Sequence, residues 1–394
     1  MVIYLANNYE PFSPVLVRGE GSILWDENDK AYIDMFAGFS ATSLGHGHPR
    51  ILKVLNEQAS KLSITSRMYK NKVLEDFAGK LCTVTGLDVA LPMNTGAEAV
   101  ETAIKAARRW GHLEKGIFDG NQKIVVMNNN FHGRTTTIIG FSSEDSYRMG
   151  FGPFNGGFIS VSFGNFEALH EILKIYKDNV CAVLLEPIQG EAGVIIPPDG
   201  YLNRVRNLCN FYNILMIADE VQSGLGRTGY WFACNHEHVK PDIMILGKTL
   251  GGGVLPVSAI VGKRKIMDVF TPGSHGSTFG GNPLAAAVGH ETLDVLSDEN
   301  LIELSNSNGA YMLNELKKIN SPIIKEIRGR GLWVGIELIP DIPANLFVKR
   351  LIAHGVITVQ AHGKTIRLSP ALNISNELLN TALYKIREVC WEFE

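Results

Sequence analysis

The sequence predicts an α/β protein with a mainly parallel sheet and a smaller C-terminal α/β domain. Between residues 120 and 262, short apolar runs alternate with segments of helical periodicity, a pattern typical of βαβ units. After Pro283 the pattern changes to longer helical stretches with a few short strand-like runs. The chain has 394 residues, which is enough for two or three domains with buried cores.

The apolar runs are too short for helices and rich in Val and Ile, so we interpret them as buried strands. They are Lys123–Met127, Val180–Leu185, Ile214–Ala218, Ile243–Leu246 and Val257–Val261. Apolar residues at helical spacing predict helices over 97–110, 166–176, 201–212, 284–296 and 300–316. Further short strands are expected at 332–338 and 365–368, and a hairpin over 19–33 that turns at 26–29. We therefore divide the chain into an N-terminal segment (1–50), a large domain (51–283) and a small C-terminal domain (284–394).

Composition and charge exclude several classes of function. Lys and Arg (37) nearly balance Asp and Glu (40), so no basic surplus is available for nucleic acid or an anionic membrane. No apolar run reaches the ~18–20 residues of a membrane span, and the first residues resemble neither a signal nor a transit peptide. The five cysteines are odd in number and widely spaced, which is typical of reduced core residues. These observations predict a cytoplasmic protein.

Polar residues follow the apolar runs at the strand ends where ligands bind in parallel sheets: Glu186, Asp219, Glu220 and Lys248. Lys248 precedes a glycine run, and an amine partly desolvated there would have a lowered pKa suited to a Schiff base with a carbonyl. A buried Asp219 needs a cationic partner, for which a protonated pyridine nitrogen would serve. The alternatives are a lysine whose charge reaches solvent, and a carboxylate that caps the next loop.

Two further patterns suggest chemistry that we reject. Residues 224–229 match the G-x-G-x-x-G string of dinucleotide-binding proteins, but two carboxylates precede them and no helix pattern follows. The histidine pairs His46 with His48 and His236 with His238 lack further ligands at metal-site spacing, so we expect no metal.

Seven motifs occur along the chain in the order found in one protein family, and the resemblance extends over nearly the whole length. They are Leu44–Pro49, Asn94–Ala99, Phe131–Thr135, Glu186–Glu191, Ile217–Gln222, Lys248 and Gly276–Pro283. In this order they resemble the class III, or ω-, aminotransferases, which are enzymes of fold type I that depend on pyridoxal 5'-phosphate (PLP). The resemblance implies a seven-stranded type of sheet in the large domain and a homodimer with shared active sites.

The resemblance also implies the cofactor site. Lys248 holds PLP covalently and later moves a proton, while Asp219 pairs with the ring nitrogen. The backbone amides of Thr95, Gly96 and Ala97 bind the phosphate, and Thr278 completes that site from the other subunit. Phe131 stacks on the ring and Gln222 contacts its phenolic oxygen. The full set implied for PLP is Thr95, Gly96, Ala97, Phe131, His132, Asp219, Gln222, Lys248 and Thr278.

Within the family, several segments resemble ornithine aminotransferases: Asn8–Tyr9, Leu91–Gly96, Gly150–Phe154 and Gly190–Val194. These enzymes transfer the terminal amino group of L-ornithine to 2-oxoglutarate and give L-glutamate 5-semialdehyde and L-glutamate, within arginine and proline metabolism. The resemblance implies that Arg134 binds a distant carboxylate. Glu191 masks Arg367 when ornithine is bound and releases it for the carboxylate near the reacting carbon of glutamate.

Phe39 departs from that pattern, because ornithine aminotransferases usually have Tyr at this position. Loss of its hydroxyl would weaken recognition of a charged amino group by roughly 1.5–3 kcal/mol, although Tyr9 remains as a polar contact. The alternatives are therefore acetylornithine aminotransferase and, after it, 4-aminobutyrate aminotransferase. Two hypotheses fall outside the aminotransferases: a PLP-dependent isomerase or racemase, and a PLP-binding regulator without catalysis.

Overall fold

The computed structural model describes residues 4–394 and contains three β-sheets. The strands are β1 (Leu16–Glu20), β2 (Ile23–Asp26), β3 (Ala31–Asp34), β4 (Val89–Met93), β5 (Lys123–Met127), β6 (Phe158–Val161), β7 (Val180–Leu185), β8 (Leu215–Asp219), β9 (Ile243–Leu246), β10 (Ser258–Gly262), β11 (Ile324–Gly329), β12 (Val334–Leu338), β13 (Val356–Ile357), β14 (Val359–Ala361) and β15 (Thr365–Leu368).

Helices cover the sheets and connect their strands. The longer ones are Pro49–Lys61, Lys72–Thr85, Gly96–Leu113, Phe166–Tyr176, Tyr201–Phe211, Pro283–Asp298, Leu301–Lys317, Ala344–Ala353 and Asn376–Trp391. Short helical turns lie at Ala37–Ser40, Thr136–Gly140, Asp145–Arg148, Ala233–Glu237, Lys248–Gly251 and Arg264–Met267. Among all these helices of residues 4–394, none is both long and apolar enough to cross a bilayer.

The large sheet has seven strands in the order β4-β10-β9-β8-β7-β5-β6. Strands β5 to β9 pair in parallel, and β10 runs antiparallel to both of its neighbours. The predicted α/β fold class and mainly parallel sheet are therefore confirmed. The parallel strands bring their carboxyl ends to one edge, which fixes where the site forms.

The two ends of the chain meet in the smaller sheets. Strand β13 pairs in parallel with β3, so the N-terminal segment shares a four-stranded sheet with the C-terminal region. The second small sheet, in the order β11-β12-β15-β14, carries Arg367 on β15. The predicted hairpin over 19–33 includes a second turn at Gly21–Ser22, because β1 pairs with β2 as well. The domain boundaries at 50 and 283 stay a prediction.

Residues Ala37–Ser40 form a left-handed turn between β3 and the Pro49–Lys61 helix. All four have positive φ, namely 45°, 54°, 59° and 70° in order, and only Gly38 is a glycine. For other L-residues this conformation costs roughly 1–2 kcal/mol each. Asp34 stabilises the start of the turn, since its Oδ1 accepts the amides of Phe36 (2.9 Å) and Ala37 (2.8 Å).

We predict that Gly309→Ala destabilises the protein. Gly309 lies inside the Leu301–Lys317 helix, and a Cβ there would collide with the backbone of Gly331. Relieving such overpacking costs about 1–3 kcal/mol, which urea denaturation would measure. Gly79→Ala is the matched control, because Gly79 lies in the Lys72–Thr85 helix with nothing near its Cβ position and should gain about 0.5–1 kcal/mol. Equal stabilisation by both changes would contradict the packing described here.

Candidate active site

A cavity opens at the carboxyl edge of the large sheet. Its volume of about 190 Å³ exceeds the ~150 Å³ known to accept a benzene ring in another protein, so an aromatic group fits it. The lining residues are Gly96, Ala97, Phe131, His132, Gly133, Glu186, Ile188, Asp219, Val221, Gln222, Ser223 and Lys248. Most of them follow β5, β7, β8 and β9, as the sequence predicted for the edge of a parallel sheet.

Lys248 lies in the wall of this cavity, two residues after β9 ends. Burial lowers the pKa of its amine to about 8, with the Arg367 charge adding to the effect and Glu191 opposing it. A larger fraction of the amine is therefore neutral, and nucleophilic, near neutral pH than for an exposed lysine. The backbone of Lys248 is left-handed, with φ at 46°.

Asp219 ends β8 and is paired with His132. His132 Nδ1 and Asp219 Oδ2 are 2.6 Å apart, and both side chains are buried. Burial disfavours the imidazolium, but the hydrogen bond and charge of Asp219 raise the pKa of His132 overall. Asp219 Oδ1 accepts the amide of Val221 at 3.1 Å. The carboxylate is thus held in a fixed orientation at the cavity.

Glu186 is a second buried carboxyl in the cavity wall, and no role was predicted for it. Burial, opposed by the His132 charge and assisted by the Asp219 charge, raises its pKa to about 7. Its oxygens accept the amides of Phe131 (3.0 Å) and Gly190 (3.2 Å). It therefore fixes the two loops that follow β5 and β7.

The helix Gly96–Leu113 begins at the cavity. Thr95 caps it through a capping box, in which the Glu98 carboxylate accepts the amides of Asn94 (3.0 Å) and Thr95 (2.9 Å). The first amides of a helix have no partner within it, so those of Gly96 and Ala97 are available to bind an anion, as predicted for the cofactor phosphate. The expected anion contact of the Thr95 amide needs correction, because Glu98 already occupies that donor.

Phe131 and Gln222, for which contacts with the cofactor are predicted, both line the cavity. Gln222 Nε2 is buried and finds no hydrogen-bond acceptor among residues 4–394, so it has a donor to offer a ligand. A Cβ at position 190 would collide with the Gln222 amide, so Gly190 is needed for the glutamine to adopt this orientation.

Arg367 is fully buried and forms an ion pair with Glu191. Its Nη1 donates to Glu191 Oε1 at 2.6 Å, while Nε and Nη2 are buried without an acceptor in the described part of the chain. Burial opposes ionisation of Glu191, but the charge and hydrogen bond of Arg367 hold its pKa below the ordinary value. The guanidinium carbon lies 4.7 Å from the centroid of the Phe39 ring. Two strong donors thus remain for another anion.

Arg134 lies on the face of Tyr147, a residue that the sequence analysis did not single out. The guanidinium carbon is 3.4 Å from the Tyr147 ring centroid and 5.5 Å from that of Phe131. Burial and the nearby Glu191 raise the pKa of the Tyr147 hydroxyl, although Arg134 opposes this. Tyr147 therefore orients the exposed Arg134 beside the cavity; no sequence motif marks it, because a long-range contact places it.

Tyr9 and Thr278 are exposed and do not line the cavity of their own chain. Glu220 caps a loop, since it accepts the amides of Ala233 (3.0 Å) and Cys234 (2.8 Å). His46 contacts Asp34 at 2.8 Å, which is a structural role. Within residues 4–394 no group of three or more His, Cys, Asp or Glu is arranged to hold a metal ion.

Comparison with known proteins agrees with this geometry. Residues 4–390 match the family model described as aminotransferase class-III. Ornithine aminotransferase 1 of Staphylococcus aureus (strain MRSA252) is 50% identical over 386 residues, 98% of this chain and 97% of that protein. Ornithine aminotransferase of Brevibacillus brevis is 48% identical over 384 residues, covering 98% and 95% of the two chains.

Solved structures of aminotransferases superpose on this chain. Ornithine aminotransferase from Toxoplasma gondii superposes with a TM-score of 0.97 at 42% identity, over 99% of this chain and 92% of that one. Acetylornithine aminotransferase from Elizabethkingia anophelis superposes with a TM-score of 0.90, also at 42% identity, over 99% and 97%. The chain belongs to the class-III aminotransferases.

Proposed function

We propose that this protein is an ornithine δ-aminotransferase. It transfers the terminal amino group of L-ornithine to 2-oxoglutarate and gives L-glutamate 5-semialdehyde and L-glutamate. The observation that carries the proposal is the Arg367–Glu191 ion pair, whose two charges lie close enough to Lys248 to shift the pKa of its amine. The names of relatives that are about half identical over nearly the whole chain support it.

The residues of the cavity fit PLP. The amides of Gly96 and Ala97 suit a phosphate, Gln222 Nε2 offers a donor without a present acceptor, and the cavity accepts an aromatic ring. Asp219, held by His132, faces a site where a protonated ring nitrogen would complete its hydrogen bonding. When bound, PLP withdraws electrons from the substrate carbon that loses a proton.

We assign the remaining chemistry to Lys248 and its neighbours. The neutral amine of Lys248 would hold the cofactor through its carbonyl group, and Lys248 Nζ can accept and return a proton beside the substrate. His132 keeps Asp219 oriented, because its Nδ1–H donates a hydrogen bond to Asp219 Oδ2. Partial burial limits contact of the amine with water, which favours transfer of the proton to the substrate carbon over its loss to solvent.

Two substrates of different shape must use the same cavity. Ornithine brings a terminal amine without a neighbouring carboxylate, so the Arg367 charge stays neutralised by Glu191. Glutamate brings a carboxylate near the reacting carbon, and this can displace Glu191 from Nη1 of Arg367 and accept from the Nε and Nη2 donors, which have no acceptor among residues 4–394. Arg134, oriented by Tyr147, binds the carboxylate at the other end of either substrate.

Phe39 supports acetylornithine as a second candidate donor. Its ring packs edge-on to Phe36, with ring centroids 4.6 Å apart, and lies beside the Arg367 guanidinium. It presents no hydroxyl to a free α-amino group, and an acetylornithine aminotransferase is among the similar structures. The test below therefore compares the two donors.

We infer that the enzyme works as a cytoplasmic homodimer. Thr278 is exposed, and Phe279 beside it is 58% exposed, so this loop is available to contact a second copy. Asn94 donates to Ser277 at 3.0 Å, which ties the loop to the start of the phosphate-binding segment. Thr278 of the partner subunit then completes the phosphate site.

The proposed function predicts the choice of donor. In the absence of any oxo acid, ornithine should bleach the visible band of the purified holoenzyme. Its apparent second-order rate constant should be higher than that of acetylornithine or 4-aminobutyrate. Stopped-flow absorbance measures this, and addition of 2-oxoglutarate should restore the band. Preference for acetylornithine would reassign the donor, and no response to any donor would favour the isomerase or the regulator.

Arg367→Ala should separate the two half-reactions. Removal of a guanidinium that can bind a carboxylate through two donors should lower the apparent second-order rate constant for glutamate by on the order of a hundredfold or more. The ornithine half-reaction of the same variant is the internal control and should fall by less than about tenfold, because ornithine does not use this side chain. Single-turnover absorbance measures both. Equal loss in the two half-reactions would disprove the exchange of carboxylates on Arg367.

Capture of PLP by the apoprotein should depend on the ionisation of Lys248. Because burial lowers the pKa of this amine to about 8, the capture rate should rise with pH and level off above that value. Absorbance at the wavelength of the bound cofactor gives the rate across a pH series. Lys248→Ala should show neither capture nor amino transfer. A midpoint near the ~10.4 of an exposed lysine would contradict the assigned environment.

A further inference from the structure

Arg227 is a fully buried cation outside the cavity, within the glycine-rich segment 224–229 that resembled a dinucleotide motif. It forms no ion pair with any of residues 4–394. Its Nη1 donates to the carbonyls of Leu332 (2.9 Å) and Pro370 (2.6 Å), and its Nη2 donates to Ser43 Oγ (2.7 Å). Burial lowers its pKa to about 9, partly offset by the more distant Asp34. A buried charge with only neutral acceptors is costly, so its contacts need an explanation.

The three acceptors of Arg227 belong to segments that each lead to the active site. Pro370 follows β15, the strand that carries Arg367. Leu332 lies two residues before β12, which pairs with β15 and places Gly335 opposite Arg367. Ser43 follows the left-handed turn that carries Phe39. One side chain therefore joins the segments on both sides of the Phe39–Arg367 contact.

Hydroxyl groups extend this connection to Lys248. Ser43 Oγ lies 2.8 Å from Thr249 Oγ1, and both oxygens lie within hydrogen-bond distance of the Ser40 carbonyl, at 2.9 and 3.0 Å. Because a guanidinium can only donate, Ser43 Oγ must accept from Arg227. The single hydrogen of Ser43 then points to Thr249 or to Ser40. In either arrangement one hydroxyl remains to donate to the Ser40 carbonyl.

The groups at the end of this network have unfavourable backbone conformations. Phe39 and Ser40 have φ of 59° and 70°, and Lys248, next to Thr249, has φ of 46°. Left-handed conformations of such residues persist only where the surroundings hold them. The network from Arg227 reaches the left-handed turn at the Ser40 carbonyl. It reaches Lys248 through the adjacent Thr249.

We propose that Arg227 is a positioning residue for amino transfer. Acting through Ser43 and Thr249, it holds the left-handed turn with Phe39 and the left-handed Lys248 at fixed positions relative to Arg367. Arg227 does not line the cavity, so this role is separate from substrate or cofactor binding. The inference rests on the proposed function, but its test below includes a readout that does not depend on the donor.

The sharpest test changes Thr249. Thr249→Val keeps the side-chain shape and removes the hydroxyl, and it should lower kcat with the preferred donor about tenfold while KM stays within about twofold. Cofactor affinity, measured by absorbance titration of the apoprotein with PLP, should weaken about tenfold as well. Thr249→Ser keeps the hydroxyl and should retain both values. Thr292→Val is the matched control, because Thr292 is buried with its hydroxyl unpaired in the described residues, so it should change neither.

Non-additivity shows whether Arg227 acts through the hydroxyls. Arg227→Met should reproduce the loss in kcat and PLP affinity, and adding Thr249→Val to it should cause little further loss. If Arg227→Met does not fold, the pair Ser43→Ala and Thr249→Val replaces it in the same comparison. Fully additive losses, or a Thr249→Val variant equal to the wild type, would overturn the inference. A wild type that does not use ornithine would refute the proposed function alone, since PLP affinity still tests the network.

Discussion

The ion pair between Arg367 and Glu191 is the interaction on which the dual use of the cavity depends. Burial of the Arg367 guanidinium is costly, and Glu191 offsets that cost with an anionic oxygen at 2.6 Å while two further donors stay without acceptors among residues 4–394. Because the pKa of Glu191 is lowered in the folded protein, the pair is intact at neutral pH and is lost only as pH falls through that lowered value. A substrate carboxylate therefore competes with an ionised Glu191, and its binding must compensate for displacing it.

The charged groups that line the cavity also offset one another. Two carboxyls and a histidine surround the Lys248 amine, yet they are not equivalent. Glu186, with a pKa raised to about 7, is partly protonated at neutral pH, whereas Asp219 is paired with a histidine whose pKa is raised. Desolvation lowers the pKa of Lys248 towards neutrality. The parallel sheet makes this possible, because it brings the ends of β5, β7, β8 and β9 to one edge.

Much of the fold could be predicted because buried parallel strands are continuous β-branched runs. The bounds of β5, β7 and β9 agree with the predicted runs, whereas β8 and β10 begin and end one residue later. The antiparallel direction of β10 was not encoded in its composition, since the direction of a buried strand depends on its connections. The helix Gly96–Leu113 was anticipated from its cap and apolar face.

Other features of the site could not be predicted from local sequence. Ala, Phe and Ser do not favour positive φ, so nothing in the sequence indicated the left-handed turn at 37–40. Arg227 lies in the segment that we considered only as a dinucleotide-binding motif and rejected, and its three acceptors are far away in sequence. The role of Tyr147 likewise follows from its contact with Arg134, which lies 13 residues earlier in the chain. In each case tertiary contacts override local preference.

The most direct test of the account is the binding of a dicarboxylate to the holoenzyme with and without the charge of Glu191. Calorimetry would compare glutarate with pentanoate, which has one carboxylate fewer, for the wild type and Glu191→Gln. The account predicts that Glu191→Gln strengthens glutarate binding about tenfold and leaves pentanoate within about twofold, because only glutarate competes with Glu191 for Arg367. Unchanged or weaker glutarate binding would contradict it.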